Sequence, residues 1–368
     1  GEEEEVMRKI KRVLAGAGVT FMLLTGCSSG GAIDFAQYAN KQMEIKSMES
    51  QGTTAINLKY DSSKIKDKEE LKFLQLFNDV KISAHIISEN KDTVSIDGKI
   101  ILRKGDIPFK LFINQKEMVI QLDNASKPIR LANQANLSSA NQENYLAAMK
   151  ELTPYIIKNL PNPSRFEITS KQDKVQGENI DGKNVHVQIN GDEIPSLILN
   201  FMDGISKDKE AVEAIVRTIN NVDATAKMTT ETFKNELDTM VRTLKEQVST
   251  IQQDKTLQQV FNKNNYVKAD ILIDNQLYER KSDVTLHLAF PTSNDSGIQS
   301  LHIQSATENW NMNQPVKAQP ISAAHYLDEK QLSDDTTGKL FLETLDKQHS
   351  VLYDILVNDM QLYTDKGQ

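Results

Sequence analysis

The stretch VKISAHII, residues 80–87, alternates apolar and polar side chains as far as Ile86 and ends on a second isoleucine. A period of two predicts a β-strand that buries one of its faces. The same alternation recurs at residues 92–102, 108–113 and 118–122. The breaks between these segments are short and contain Asn, Asp, Lys and Gly, which are typical of turns. Short connections join antiparallel strands, so this part of the chain predicts a β-meander.

Helical and extended patterns alternate along the rest of the chain. Helices are predicted at residues 68–77, 141–160, 207–220 and 229–253, and further strands at residues 165–170, 184–189, 267–273, 278–290 and 298–308. Pro154 is expected to kink or divide the helix that contains it. The order of meander, helix, two strands, helical block and three strands predicts an α+β fold. One long antiparallel β-sheet with its helices on one face accounts for this order.

The C-terminal part differs in composition. Residues 313–322 contain two prolines and predict an extended linker, and residues 337–363 have the apolar spacing of one amphipathic helix. We therefore divide the chain into an α+β domain at residues 34–318 and a linker with a C-terminal helix at residues 319–368. The apolar stripe of that helix must be buried, so we expect it to dock on the sheet or on a protein partner in the cell envelope.

A second decisive stretch is Leu24-Thr25-Gly26-Cys27. It closes a mostly apolar run of about a dozen residues that follows a basic cluster, which is typical of a signal peptide and too short to span a bilayer. The stretch resembles the lipobox of bacterial lipoproteins at every position. That resemblance implies a diacylglycerol on the Cys27 thiol and cleavage before Cys27. Residues 1–26 are then a signal peptide and residues 27–33 carry the lipid and a flexible tether.

Two points about this N-terminal region stay open. Residues 1–6 place four glutamates in front of the basic cluster, and we interpret Met7 as the start of translation. The alternative to the lipobox is an uncleaved hydrophobic N-terminus with an incidental cysteine. If the lipobox interpretation holds, the protein is extracytoplasmic and lipid-anchored to the cell membrane. A chain whose only cysteine is acylated forms no internal disulfide, as in many Gram-positive surface proteins.

Charge and motifs narrow the functional classes. A formal net charge of −8 argues against nucleic acid as a partner. The sequence lacks the Gly-x-Ser-x-Gly, phosphate-loop, dinucleotide and His-Glu-x-x-His motifs, so we predict neither an enzyme nor a cofactor. His287 and His302 fall on neighbouring predicted strands, where surface histidines are the interpretation we favour over a metal pair. For Trp310 we favour a sheet anchor over a ligand contact.

The whole layout is similar to a known family. The lipobox, the meander, the central helices and the returning strands resemble the half-barrel lipoproteins of the outer-membrane lipoprotein-carrier (LolA) and mycobacterial LppX type. The stretches that carry the resemblance are GKNVHV at residues 182–187, ILIDNQ at 271–276 and NQPV at 313–316. It covers roughly residues 40–318. It implies a curved sheet, a half-barrel, with helices packed on its concave face around an apolar cavity for acyl chains.

Two functions follow as expectations. The first is a membrane-anchored envelope lipoprotein that binds a hydrophobic ligand or lipid in the half-barrel cavity. The alternative is a structural or partner-binding surface lipoprotein whose core is filled by its own side chains. For the first function we expect two apolar stripes to line the cavity from opposite sides. They are Phe233, Leu237, Val241, Leu244 and Val248 on a helix, and Val284, Leu286, Leu288 and Phe290 on a strand.

Overall fold

The computed structural model describes residues 32–132, 139–291 and 295–362. Twelve strands in these ranges form one long, curved, unclosed sheet with helices on its concave face, which confirms the α+β half-barrel. The strands are β1 (Met48–Tyr60), β2 (Asp79–Ser88), β3 (Val94–Leu102), β4 (Gly105–Ile113), β5 (Glu117–Leu122), β6 (Ile129–Ala132), β7 (Arg165–Val175), β8 (Glu178–Asn190), β9 (Tyr266–Asp274), β10 (Glu279–Ala289), β11 (Ile298–Trp310) and β12 (Leu327–Asp328).

Strand β1 joins the two halves of the sheet. The strand order is β12-β6-β5-β4-β3-β2-β1-β11-β10-β9-β8-β7, so the first strand of the chain lies between the meander and the returning strands. It pairs antiparallel with β2 on one side and with β11 on the other. The only parallel pair among the described strands is the short β12–β6 pair at one edge. The sheet is therefore continuous, although its central pairing joins residues about 250 positions apart in the chain.

Several helices begin at a side-chain cap. They are α1 (Phe35–Met43), α2 (Lys68–Phe77), α3 (Ser139–Asn159), α4 (Ile194–Lys207), α5 (Lys209–Val222), α6 (Thr230–Gln253), α7 (Lys255–Gln258), α8 (Glu329–Asp334), α9 (Lys339–Glu343) and α10 (Val351–Asp354). The side chains of Asp34, Asp67 and Thr229 accept hydrogen bonds from backbone N–H groups at the starts of α1, α2 and α6. Pro154 lies inside α3 and does not divide it. Within the described ranges, no helix is both long enough and apolar enough to cross a bilayer.

Two hydrophobic layers lie on the concave side. The inner one is the interface of α1 with strands β8 and β9, where Phe35 and Tyr38 pack on Val185, Val187 and Ile271. The outer one is formed by helices α3 to α6 packing on one another. Ile157 of α3 belongs to the inner cluster, and half-buried Leu160 packs against both. The helical block is thus anchored to the sheet through α1 and the end of α3.

The C-terminal segment wraps around one edge of the sheet. Residues 318–326 pack on the convex face, where Ala318 contacts the cluster of Phe112 and Val119. The chain then pairs with β6 through β12 and returns on the concave face. There Ile355 is buried with Leu102 and Ile107. The predicted docking of this segment is therefore confirmed, on its own sheet.

The prediction of one long C-terminal helix is wrong. The described part of residues 337–363 forms α9, α10 and a π-helical turn at Ile355–Asp359, separated by irregular chain at 344–350. The apolar spacing is helical, but the segment must bend to bury residues in two places, beside Ala125 and beside Leu102. The bend is held by Asp123, whose Oδ2 accepts hydrogen bonds from Ser350 Oγ at 2.7 Å and from the Leu352 N–H at 2.9 Å.

Replacing Ser350 tests this attachment. Ser350 is buried, and its hydroxyl also caps α10 by accepting the Tyr353 N–H at 2.9 Å. We expect Ser350→Ala to cost about 0.5–2 kcal/mol, the usual range for a lost N-cap hydroxyl. Amide hydrogen exchange at residues 351–359 should accelerate accordingly. Thr229→Ala removes an equivalent cap from α6 and should leave exchange at residues 351–359 unchanged. Equal exchange in both variants would contradict the role of Ser350 in holding the C-terminal segment.

Candidate functional site

The centre of the concave face is apolar but only half-buried. One row of directly paired residues crosses six strands from β2 to β8: Val80, Ile56, Ile303, Leu286, Val267 and Ile189. Ile56, Ile303 and Leu286, in the middle of this row, are of intermediate exposure. None of the hydrophobic clusters formed by the described residues includes these three side chains. The middle of the concave face therefore differs from its two ends, which are covered.

Small side chains lie on the concave face two paired rows away, beyond the row of Thr54 and Val284. Gly52 of β1 pairs with Ala84 on one side and Thr307 on the other, and Thr307 pairs with Ser282. Close strand neighbours normally fill a sheet face with β-branched or aromatic side chains. Of these four residues only Thr307 is β-branched, so side chains rise little above β2, β1 and β10.

A cavity of about 700 Å³ lies between α1 and this part of the concave face. Its volume falls within the range of about 300–1,000 Å³ that is usual for small-molecule sites. Its apolar lining comes from both sides and consists of Met43, Ile45, Met48, Val94, Ile271 and Val284. The cavity extends across strands from β3 to β10, with α1 as its cover.

Helix α1 is positioned by a polar pair at the cavity wall. The Tyr38 hydroxyl is almost completely buried and donates a hydrogen bond of 2.8 Å to Glu279 Oε2. Burial raises the pKa of Tyr38 well above its usual value, and the neighbouring Glu279 carboxylate raises that pKa further. Tyr38 is therefore a neutral donor at physiological pH. Gln42, one helical turn on, accepts the Glu279 N–H at 3.3 Å and donates to the Leu277 carbonyl.

The two predicted cavity stripes are not brought together. Phe233, Leu237 and Val241 are buried in the cluster formed by α3, α4, α5 and α6, with Leu244 packed at its margin, and Val248 is buried outside that cluster. The expectation that this helix faces the strand stripe is wrong. Helix α6 is amphipathic, and the neighbouring helices α4 and α5 already cover its apolar side.

The strand stripe is placed on the concave face as expected. Val284 lines the cavity and packs at the margin of the cluster under α1. Leu286, Leu288 and Phe290 are half-buried further along the same strand segment. The cover that sequence reasoning missed is α1. Its signal was the spacing of Phe35, Tyr38, Ala39 and Gln42, which places them on one helical face behind the capping Asp34.

The convex face carries the other residues that the sequence singled out. The Nδ1 atoms of His287 and His302 are 3.4 Å apart, and both rings are half-buried. In the described part of the chain, no group of three His, Cys, Asp or Glu side chains could hold a metal ion. Trp310 packs against Val175, Ile180 and Leu272 and stacks on His85 with 5.7 Å between ring centroids. It therefore acts as an anchor between strands.

The predicted lipidation site lies outside the described residues. Leu24, Thr25, Gly26 and Cys27 all precede residue 32, so the lipobox stays a prediction from sequence. A comparison with models of known protein families finds no match, and a comparison with curated proteins finds no similar sequence. The sequence motifs and the cavity are therefore the features that bear on function.

Proposed function

We propose that this protein is a membrane-anchored envelope lipoprotein that binds a hydrophobic ligand or lipid in the cavity of its half-barrel. Binding, and not catalysis, is the role proposed. The observation that carries the proposal is the cavity of about 700 Å³ with apolar walls under α1. The cavity is about half open to solvent. A pocket of this volume with a mostly apolar surface can hold an acyl chain.

The proposed anchor would keep this cavity close to a membrane. Cys27 and Asp34, which caps α1, are seven residue steps apart. Seven residues span at most about 25 Å when fully extended. A lipid on Cys27 would therefore hold α1 within reach of membrane lipids, which are an abundant source of hydrophobic ligands.

The alternative is a structural or partner-binding lipoprotein. The observation that favours it is the helical block, where Phe233 is 1% exposed and the cluster around it is well buried. This block shows that part of the molecule has a filled core. The same observation does not extend to the concave face around Ile56 and Leu286, so ligand binding remains the first proposal.

Recovery of a ligand that copurifies with the protein distinguishes ligand binding from the structural alternative. Residues 28–368 contain every described residue, so this chain should fold without the anchor, which circular dichroism can check. We expect organic extraction to recover a hydrophobic compound in about one-to-one ratio with the protein. Val94→Trp adds bulk at the cavity wall and should reduce the recovered compound several-fold.

Leu244→Trp is the matched control, because Leu244 lies at the margin of the helical cluster and not in the cavity. It should leave the recovered compound unchanged, although overpacking there costs about 1–3 kcal/mol. If no hydrophobic compound is recovered from the folded wild-type chain and none binds on addition, the structural alternative is correct.

A further inference from the structure

Two lysines lie at the mouth of the cavity. Lys46 is in the connection between α1 and β1, and Lys91 is in the turn between β2 and β3; both line the cavity and both are exposed. Neither ammonium group forms an ion pair with a side chain of the described residues. Lys104 and Lys281, in contrast, each pair with two carboxylates. In a chain of net charge −8, two unpaired lysines at one opening are a local positive site.

The lining of the cavity is mixed in polarity. Met48, Val94 and Val284 give it apolar surface on the sheet, and Ser282 and Asn309 lie between them. Glu279 also faces the cavity, on the wall beneath Tyr38, where its carboxylate accepts the Tyr38 hydroxyl. That carboxylate would repel a second anion close to it. An anionic group is therefore favoured at the lysine mouth and disfavoured at the far wall.

The length of the cavity suits a long chain. Strands β3 and β10, which both contribute to its lining, are separated by β2, β1 and β11. Four inter-strand spacings of about 4.8 Å amount to about 19 Å along the sheet. An extended acyl chain can lie across the strands over this distance, past Met48 and Ser282 of the lining.

We propose that the ligand is an anionic amphiphile, whose charged headgroup lies between Lys46 and Lys91 and whose acyl chain lies along the concave face towards Val284. This inference rests on the proposed function and adds the chemical class of the ligand. The shared chemistry is a carboxylate or phosphate on an acyl chain. A free fatty acid and an anionic phospholipid both supply it.

The test compares charged and neutral amphiphiles with the same chain. The assay uses residues 28–368, which are first freed of copurified lipid and then loaded with a fluorescent apolar dye. The dye is displaced by oleate, oleyl alcohol, dioleoylphosphatidylglycerol or dioleoylphosphatidylcholine. We expect the wild-type chain to bind oleate or the phosphatidylglycerol about tenfold more tightly than its neutral or zwitterionic counterpart. Two exposed ion pairs contribute about 0.2–1 kcal/mol each, which corresponds to about a two- to thirtyfold change in affinity.

Substitutions of the two lysines test whether they cause the preference for anionic amphiphiles. The double variant Lys46→Gln/Lys91→Gln should weaken binding of the anionic ligand about tenfold and change binding of oleyl alcohol less than twofold. As a control, Lys263→Gln makes the same charge change per site at an exposed lysine outside the cavity lining. It should change neither the binding of the anionic ligand nor the binding of oleyl alcohol. A lysine-dependent preference for oleate alone identifies a fatty acid, and one for the phosphatidylglycerol alone identifies a phospholipid.

Two outcomes would overturn the inference, and the second would also overturn the proposed function. If the wild-type chain binds oleyl alcohol as tightly as both anions, or if the double variant weakens all ligands equally, the anionic headgroup is rejected while ligand binding stands. If the folded wild-type chain binds none of the four compounds, the proposed function fails as well.

Discussion

Phe233→Ala should destabilise the protein by about 3–5 kcal/mol, the range for truncating a buried phenylalanine. Phe233 is 1% exposed and lies in the cluster that holds α3, α4, α5 and α6 together. Its removal leaves a void between helices that are fixed by contacts on several sides, so the site cannot collapse easily. Urea unfolding followed by circular dichroism would show the change as a lower midpoint at an unchanged slope.

Leu286→Ala is the matched comparison on the sheet. Leu286 is half-buried in the middle of the concave face, in no cluster of the described residues. We expect a loss of less than about 2 kcal/mol, because a side chain already partly in contact with solvent loses less on truncation. A loss as large as that of Phe233→Ala would show that Leu286 belongs to a filled core and that the middle of the concave face is packed.

Cys27→Ala should abolish attachment of the protein to the membrane through lipid. The thiol of Cys27 is the only one in the chain, and in the lipobox interpretation it forms the thioether to diacylglycerol. Each buried methylene of an acyl chain contributes about 0.8 kcal/mol to membrane binding, so two long chains form a stable anchor. Without the thiol, acylation cannot occur, and cleavage that requires the acylated cysteine should be blocked.

Mass spectrometry and membrane fractionation measure this effect. The wild-type protein should begin at an acylated Cys27, whereas the Cys27→Ala protein should be unacylated and keep residues before position 27. Thr25→Ser is a suitable control, because serine is also accepted at this position of the lipobox, and it should be processed like the wild type. An unlipidated mature N-terminus at another residue of the wild-type protein would contradict the lipoprotein interpretation.

The helical block and the concave face of the central strands have different physical roles. The helical block has a well-packed core, and α1 and the end of α3 fix it to strands β8 and β9. The central strands keep a half-buried apolar face, which is energetically unfavourable in water unless something covers it. A chain bound in the cavity would cover the part of that face around Val284. This division explains why a filled core and a cavity are present in the same chain.

The individual strands and helices were predictable from local patterns. Residues 80–86 alternate strictly, and the helices predicted at residues 68–77 and 229–253 are confirmed as α2 and α6. The strand pairs of the meander were also predictable, because short turns leave an antiparallel neighbour as the only simple solution. Alternation specifies which side chains share a face, since a shift of one residue would expose the whole apolar set. For this reason the apolar concave face, including Val284 and Leu286, followed from the sequence.

The sequence by itself therefore determined most strands and helices, their apolar faces and the α+β class, and it supplied the lipobox prediction. Only the tertiary structure decided which faces meet. The pairing of β1 with β11, the cover of the cavity by α1 and the return of the C-terminal segment all join distant parts of the chain. An amphipathic pattern such as that of α6 indicates that one face of the helix must be buried. It does not specify which part of the chain covers that face. Helices α4 and α5 cover that side of α6, and the cavity beneath α1 is lined on the sheet by residues such as Met48, Ser282 and Val284.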